Sequence, residues 1–398
     1  MRSSYVFISE SVTEGHPDKL CDQISDAIVG RLLRRDPAAR VVAECAVSTA
    51  IVFLSVKTRA VASIDFAEAA RDVLRRVGYD HETFDARSCT VMTSLDELGP
   101  EAPGSGADDG SESDDSALSR AAHDQATVFG FACDHTEAYV PMPIWLAHRL
   151  ARRLAEARRT RALAYLAPDG KTQVGVEFSG GRPKRIQSVS VVAAQRSRES
   201  PTLERLREEV LREIVHEVFA TESIAPDEAT RIALNPDGVF AKSGPAHHAG
   251  LTGRKNAVDT YGGFARHSGA ALSGKDPGRI DRVGAYAARY AAKNVVAAGL
   301  ASQCEIALSY SIGLTRPASV QVETFGTSLI PEEEIVRRVE RAFDFRLTSI
   351  ARHFGLRELA QRDEEGFYTK LAAYGHVGRP ELDLPWERLD RVETLRAG

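Results

Sequence analysis

Cysteine and tryptophan are scarce in this chain, five and two respectively in 398 residues. Cys21, Cys45, Cys89, Cys133 and Cys304 are scattered, with no pair at the spacing of a zinc knuckle or a redox dithiol. A disulfide scaffold and a thiolate metal site are therefore excluded, and a reducing, cytoplasmic setting is expected. No apolar run approaches the ~20 residues that a membrane-spanning helix needs. Met1–Phe7 lacks the apolar stretch of a secretory leader. A surplus of positive charge is absent too: the formal net charge is -5, so no basic field is available for nucleic acid. An anionic ligand has to be met locally, by clustered cations. What is present, 43% hydrophobic and 27% charged residues, marks a globular chain. Its length exceeds one ordinary core and calls for two or three packed units.

Periodicity supplies an outline of those units. Leu20, Ile24, Ile28 and Leu32 recur at helical spacing between Lys19 and Arg35; a β-rich stretch from Val41 to Val56 follows, and then a helix over Phe66–Val77. Residues 1–98 thus read as one α/β unit. From 99 to 119 the composition turns to Gly, Pro, Ser and acids, with five acids between Asp108 and Asp115, which predicts a mobile loop. A second unit, 120–236, carries a helix over Ile144–Ala157, strands Gln173–Phe178 and Ser188–Ala194, and an amphipathic helix over Leu203–Phe219. A third, 237–398, joins a Gly-rich region to a helix near Asp281–Ala298, strands Glu305–Ile312 and Val320–Phe325, and a helix over Glu332–Phe343. Three units of similar plan suggest a pseudo-repeat.

Two motifs carry chemistry. Near the N-terminus, Ser9 to Lys19 places His16, Asp18 and Lys19 on a Gly/Pro turn that opens a helix. A helix start offers unpaired N–H groups and partial positive charge, and Asp18 suits a Mg²⁺ ion carried in with phosphate. The same turn is also compatible with plain capping. The denser motif is Gly250-Leu-Thr-Gly-Arg254-Lys255, followed by Asp259, Arg266 and His267, and then Ser273-Gly-Lys275-Asp-Pro-Gly-Arg279 with Asp281. Glycine lets backbone approach a ligand closely, arginine offers a fork for phosphate oxygens, lysine a point charge, and Asp281 a second Mg²⁺ ligand. The chain has no Walker A loop and no strand-to-helix G-x-G-x-x-G element, so kinase and dehydrogenase templates lose ground.

These residues resemble the S-adenosylmethionine synthetase (methionine adenosyltransferase) family. The likeness extends to Asp124-Gln125 with Phe129-Gly-Phe-Ala132, to Pro168-Asp-Gly-Lys171, and to Ala373-Tyr-Gly-His376 with Gly378-Arg379, and so covers nearly the whole chain. The resemblance implies an α/β fold of three similar units around a pseudo-threefold axis. Its chemistry is an attack of a thioether sulfur on C5′ of ATP, with triphosphate leaving and then being cleaved to pyrophosphate and phosphate. It implies two Mg²⁺ per site and a K⁺ activator. It also implies a homodimer, possibly paired again into a tetramer, with active sites shared between subunits. By the same resemblance His16 sits at the leaving oxygen, and Lys171, Arg254, Lys255 and Lys275 embrace the triphosphate. Lys19, Asp169 and Arg279 join the ATP contacts, Phe240 stacks on adenine, and Asp124 meets nucleoside or acceptor. Asp18 and Asp281 hold Mg²⁺, and Glu44 the K⁺.

The acceptor side departs from the family pattern. Members carry an acid on the early hairpin and another just before Gly-Leu-Thr-Gly-Arg-Lys, where they help bind the α-ammonium of methionine. Here Ile51–Ser63 has no acid and Lys57 stands at the hairpin position, while His247 and His248 replace the usual Gly-Asp. The family's gating loop is replaced by the acidic segment that starts at Leu98, and the Lys expected two positions before Asp281 is Arg279. A cation about 4 Å from an ammonium costs roughly 1 kcal/mol in water and about 4 at a surface-like dielectric. Two outcomes follow: nearby acids, such as those of the altered loop, swing in and rescue methionine binding, or ordinary methionine binds poorly and Lys57 and His248 are acceptor-binding residues for a thioether that lacks the ammonium or carries an additional carboxylate. Two other readings compete: an ATP or triphosphate hydrolase without adenosyl transfer, and a non-catalytic partner of a working synthetase. The retained His16 speaks against the first, and intact Asp18, Lys171, Lys275 and Asp281 speak against the second.

Overall fold

The computed structural model describes residues 4–81, 84–99, 121–196, 200–363 and 366–398. The acidic segment expected to be a mobile loop lies, apart from Gly99, outside the described residues.

Three sheets form the frame. The first combines β1 (Ser4–Val12), β8 (Leu166–Ser179), β9 (Arg182–Gln195) and β10 (Arg231–Leu234), in the order β1-β8-β9-β10. The second combines β2 (Arg40–Ser48), β3 (Ile51–Arg59), β6 (Thr90–Glu97) and the short β11 (Gly250–Leu251), in the order β11-β2-β3-β6. The third runs β13-β12-β7, from β7 (Ala126–Cys133), β12 (Gln303–Tyr310) and β13 (Ser319–Glu323). A two-residue hairpin, β4 (Asp80–His81) with β5 (Phe84–Asp85), lies apart. Neighbours are antiparallel except β3–β6 and β9–β10, which are parallel.

Each sheet is backed by one long helix. α1 (Pro17–Arg35) lies on β2, α3 (Met142–Arg159) on β8 and β1, and α7 (Ile280–Ala297) on β7 and β12. Leucines and isoleucines at helical spacing on α1 are fully buried, as the periodicity requires, and so are its polar residues Lys19, Asp22, Ser25 and Asp26. α7 meets β7 at close range: a Cβ on Gly130 would come within 2.0 Å of the Ala288 carbonyl carbon, so only glycine permits this packing.

Several expected elements form with shifted limits. The strands at Gln173–Phe178 and Ser188–Ala194 are the middles of a longer hairpin, turned at Gly180 and Gly181, both at positive φ. α2 covers Phe66–Val77 as predicted. The helix expected over Leu203–Phe219 is interrupted: α4 (Leu203–Val210) passes through a π turn at Leu211–His216 into α5 (Glu217–Phe219). α6 (Asn256–Asp259) is a single turn, α8 spans Glu332–Ala342, and four short helices, α9 to α12, close the chain between Leu347 and Ala397.

The sheets do not follow the sequence segments. β1 joins β8, β11 joins β2, and β7 joins β12, so each sheet takes a strand from across the boundaries at residues 98–120 and 236–237. Among the described residues the five cysteines are buried and free, and no helix is long and apolar enough to cross a membrane.

Candidate active site

α1 is the spine of the site. Its N-terminal half carries acceptors at helical spacing, and each ties down a basic loop. Asp18 Oδ1 accepts the Leu251 N–H at 3.1 Å and Asp22 Oδ1 accepts that of Gly253 at 2.8 Å, while Ser25 Oγ meets Thr252 Oγ1 at 2.8 Å. Asp26 Oδ1 then accepts the Gly274 N–H at 2.8 Å. The Gly250–Lys255 loop is therefore stapled along the first turns of α1, and the Ser273–Lys275 loop one turn further on. Glycine is required at both contacts. A Cβ on Gly250 would fall 2.2 Å from the Pro17 carbonyl, and one on Gly274, at φ 79°, would fall 2.0 Å from the Ala43 oxygen.

The first group of candidate residues gathers at the start of α1. His16 is buried, and its Nδ1 accepts the Asp18 N–H at 3.2 Å, which leaves its hydrogen on Nε2. Burial pushes its pKa down to about 2, assisted by the charges of Lys255, His248, Lys171 and Lys19, so the ring is neutral. Lys255 Nζ lies 3.1 Å from Asp18 Oδ2, and Arg254, largely exposed, lies 3.7 Å from Oδ1. Asp169 Oδ2 accepts the Gly244 N–H at 2.8 Å, and its Oδ1 is buried without a partner. Burial raises the Asp169 pKa, against the lowering effects of that N–H, His248 and Lys171. Rings continue away from His16 in a row: His248 at 4.8 Å between centroids, His247 at 5.6 Å from His248, and Phe240 at 5.2 Å from His247. Phe240 is half-buried and meets His247 edge to face.

The second group lines a cavity of about 490 Å³ that includes Glu44, Asp124, Lys275, Arg279 and Asp281. Lys275 Nζ binds Asp281 Oδ2 at 2.7 Å, and Arg279 lies 3.7 Å from Asp276. Gly253 is held at Asp22 and Gly274 at Asp26, one helical turn apart, or about 6 Å of helix rise. Among the described residues no hydrogen bond or ion pair links His16, Lys171 or Lys255 to Lys275, Asp281 or Asp124. Lys57 extends from the exposed face of β3, on the side of Glu44.

Lys19 is placed apart from the other candidate cations. The sequence puts Lys19 among the ATP contacts, but its ammonium is fully buried, bonded to Asp22 at 2.8 Å and to Asp259. Burial alone would lower its pKa, yet the two carboxylates raise it, so here it is a core cation held by α1 and α6. The sequence does carry a signal of this: Asp22 stands three residues on, on the same helix face. The stapling residues Asp22, Ser25 and Asp26 also escape a reading of motifs alone. With Asp18 they form a buried polar stripe beside the apolar stripe of Leu20, Ile24, Ile28 and Leu32, and polar groups buried on a core helix need partners.

Either Asp18 or Asp281 offers a single carboxylate, and no group of three or more His, Cys, Asp or Glu able to hold a metal occurs among the described residues. That donor set does not suit a transition metal held by protein alone. It fits a hard divalent ion that brings phosphate oxygens with it.

Fold and site together define a class: a three-sheet α/β protein in which lysines, arginines and a neutral histidine gather at the head of one long helix, an arrangement suited to an anionic ligand. Comparison with known proteins gives the family. The S-adenosylmethionine synthetase N-terminal, central and C-terminal domains match residues 4–100, 119–240 and 242–388 in turn. The chain belongs to the S-adenosylmethionine synthetase family. It is 48% identical over 404 residues to the S-adenosylmethionine synthase of a Synechococcus species, covering 98% of this chain and 97% of that one. The synthases of Gloeobacter violaceus and Thermosynechococcus vestitus are 47% identical over 409 residues and 46% over 406, covering 99% of this chain in each case and 98% and 97% of theirs.

Proposed function

We propose that the chain is a methionine adenosyltransferase, making S-adenosylmethionine from ATP and methionine. The observation that carries this reading is the neutral His16 at the head of α1, with Nε2–H free to donate and Lys171, Lys255 and Arg254 around it. A lone pair on the methionine sulfur attacks C5′; the C5′–O5′ bond breaks and its electron pair leaves with the triphosphate. A thioether needs no general base, so the protein's task is alignment and the stabilisation of charge growing on O5′. His16 donates to O5′ without giving up a proton, since a ring with a pKa near 2 has none to spare at Nδ1. Arg254, Lys255 and Lys171 take the phosphates, Phe240 the adenine and Asp169 the nucleoside, with Lys275, Arg279 and Asp124 facing them from the second group. Asp18 and Asp281 would hold Mg²⁺, which offsets the negative charge of the phosphates, and Glu44 would hold K⁺. Lys255 and Lys275, which occupy those carboxylates here, would turn to the phosphates. The relatives' name favours methionine over an acceptor without the ammonium.

The two groups become one site if a second copy supplies the other half. The outer sheet faces support a homodimer: Val6 and Ile8 on β1 and Ile51 and Phe53 on β3 are all more than 40% exposed. The test is mass spectrometry of nucleosides after incubation with ATP, methionine, Mg²⁺ and K⁺. S-adenosylmethionine is expected in equal amount to the ATP consumed; phosphate release with no sulfonium nucleoside would discard the proposal.

A further inference from the structure

Between Lys275 and Arg279, both expected at the phosphates, the chain runs Asp276-Pro277-Gly278. This is turn chemistry: an aspartate side chain takes the N–H two residues on, and proline has no N–H to compete for it. The structure forms that turn, with Asp276 Oδ1 accepting the Gly278 N–H at 2.7 Å. The other oxygen reaches out of the loop. Oδ2 accepts the Val41 N–H of β2 at 2.8 Å, and the Asp276 N–H donates back to the Val41 carbonyl at 3.1 Å. Lys275 bridges to the next residue of β2, Val42, and the Arg279 N–H closes on the Asp276 carbonyl at 3.1 Å. One carboxylate thus fixes the backbone at both cations. Asparagine cannot take over its two bonds, because it has a single acceptor oxygen and would turn amide hydrogens toward one of the N–H groups.

Place and charge distinguish Asp276 from an ordinary turn residue. It is 1% exposed and lines no part of the cavity that Lys275, Arg279 and Asp281 share, so it does not meet a ligand there itself. Its charge is offset by two cations, Arg279 Nε 3.7 Å from Oδ2 and Arg357 Nη2 3.9 Å from Oδ1. Arg279 caps the start of α7, whose first turn carries Asp281, and Lys275 Nζ meets Asp281 Oδ2 at 2.7 Å. Lys275, Arg279 and Asp281 therefore take their places from one buried anchor on β2. A shift of the turn by about 1 Å carries both cations with it, and misplacement of that size costs on the order of 10²-fold in rate. Resting on the adenosyltransferase reading above, we infer that Asp276 is a positioning residue for the reaction: it acts on the triphosphate through Lys275 and Arg279, by pinning their backbone to β2.

The experiment is a mutant cycle read by calorimetry of adenylyl imidodiphosphate with Mg²⁺, so that inactive variants still report. Asp276→Ala and Asp276→Asn are measured in the wild type and in a Lys275→Met/Arg279→Met background, which keeps Lys171, Arg254, Lys255 and Phe240. In the wild type Asp276→Ala should weaken the nucleotide about tenfold or more, with Asp276→Asn, which keeps one acceptor, in between. In the background without the two cations each should change affinity by less than about twofold, because nothing is left to position. Equal losses in both backgrounds would mean that Asp276 supports the protein generally, and unchanged affinity in the wild type that the turn holds without it; either result refutes the inference. Should Asp276→Ala fail to fold, Asp276→Asn alone completes the cycle. Steady-state kinetics add a second readout. In Asp276→Asn the KM for ATP should rise while the KM for methionine stays within about twofold, and an equal rise in both would count against positioning. A wild type that binds the nucleotide but forms no sulfonium product overturns the adenosyltransferase reading and leaves the cycle readable.

Discussion

At the scale of single residues the site depends on a histidine that stays neutral. His16 cannot act as an acid at ordinary pH; it contributes one oriented Nε2–H. His16→Ala should therefore lower kcat by about 10²–10³ while leaving the KM for ATP within a few-fold, as for loss of one donor to a developing oxyanion. Steady-state kinetics at saturating methionine check this, and an equal rise in KM with unchanged kcat would place His16 in ground-state binding. Neutrality has a second consequence. His16 and His135 are pushed down to about 2 and about 4, in both cases by burial first. The unfolded chain takes up a proton on each ring near pH 6.5 that the folded chain refuses. Their stabilising effect is complete above that pH and is lost as pH falls below it, by up to about 1.4 kcal/mol per ring and pH unit until the folded pKa is reached. Urea unfolding at pH 7.5 and pH 5 should show about 2 kcal/mol per ring lost at the lower pH, and exchange of His135 for Gln should remove its share.

At the scale of elements, close approach decides the geometry. Gly250 lets β11 touch the start of α1, and through that contact Leu251 reaches Asp18, and Lys255 and Arg254 follow. Gly250→Ala should push the loop off Pro17 and raise the KM for ATP about tenfold or more, with a drop of roughly 1–3 kcal/mol in stability from overpacking. An unchanged KM in a destabilised protein would separate the packing role from the ligand role. The long helices were legible in the sequence, because α1, α2 and α7 bury apolar stripes whose 3.6-residue period suits a helix and no strand. The Gly-rich cationic loops were legible as well, as a composition that few structural roles require. The partners of β1, β7 and β11 were not, since their neighbours lie across the chain and local periodicity carries no register. Lys19 misleads for a related reason: a cation beside a phosphate-binding turn and a cation neutralised inside a helix look alike until the far carboxylate, Asp259, is placed. His248 shows the same limit, for its orphaned nitrogen appears only when Ala249 has taken the other one.

At the scale of the whole molecule the question is why the candidate residues fall into two groups. Each group has its own cations, but among the described residues no hydrogen bond or ion pair joins His16, Lys171 or Lys255 to Lys275, Asp281 or Asp124. If a two-fold pair joins the first group of one copy to the second group of the other, it does so twice, since an isologous interface repeats every contact. The arrangement is testable without a structure of the assembly. His16→Ala and Lys275→Ala should each be nearly inactive alone. In a mixed dimer one composite site carries both lesions and the other carries neither. Unfolding and refolding the two variants together at equal amounts should make about half of the dimers mixed and return about a quarter of wild-type activity, if subunits pair at random. Sites built within single chains allow no such recovery, because every chain in the mixture then lacks one of the two residues. Activity that stays at the level of the separate variants, in a mixture shown by native mass spectrometry to contain mixed dimers, would rule out sharing and require both groups to close on ATP within one chain.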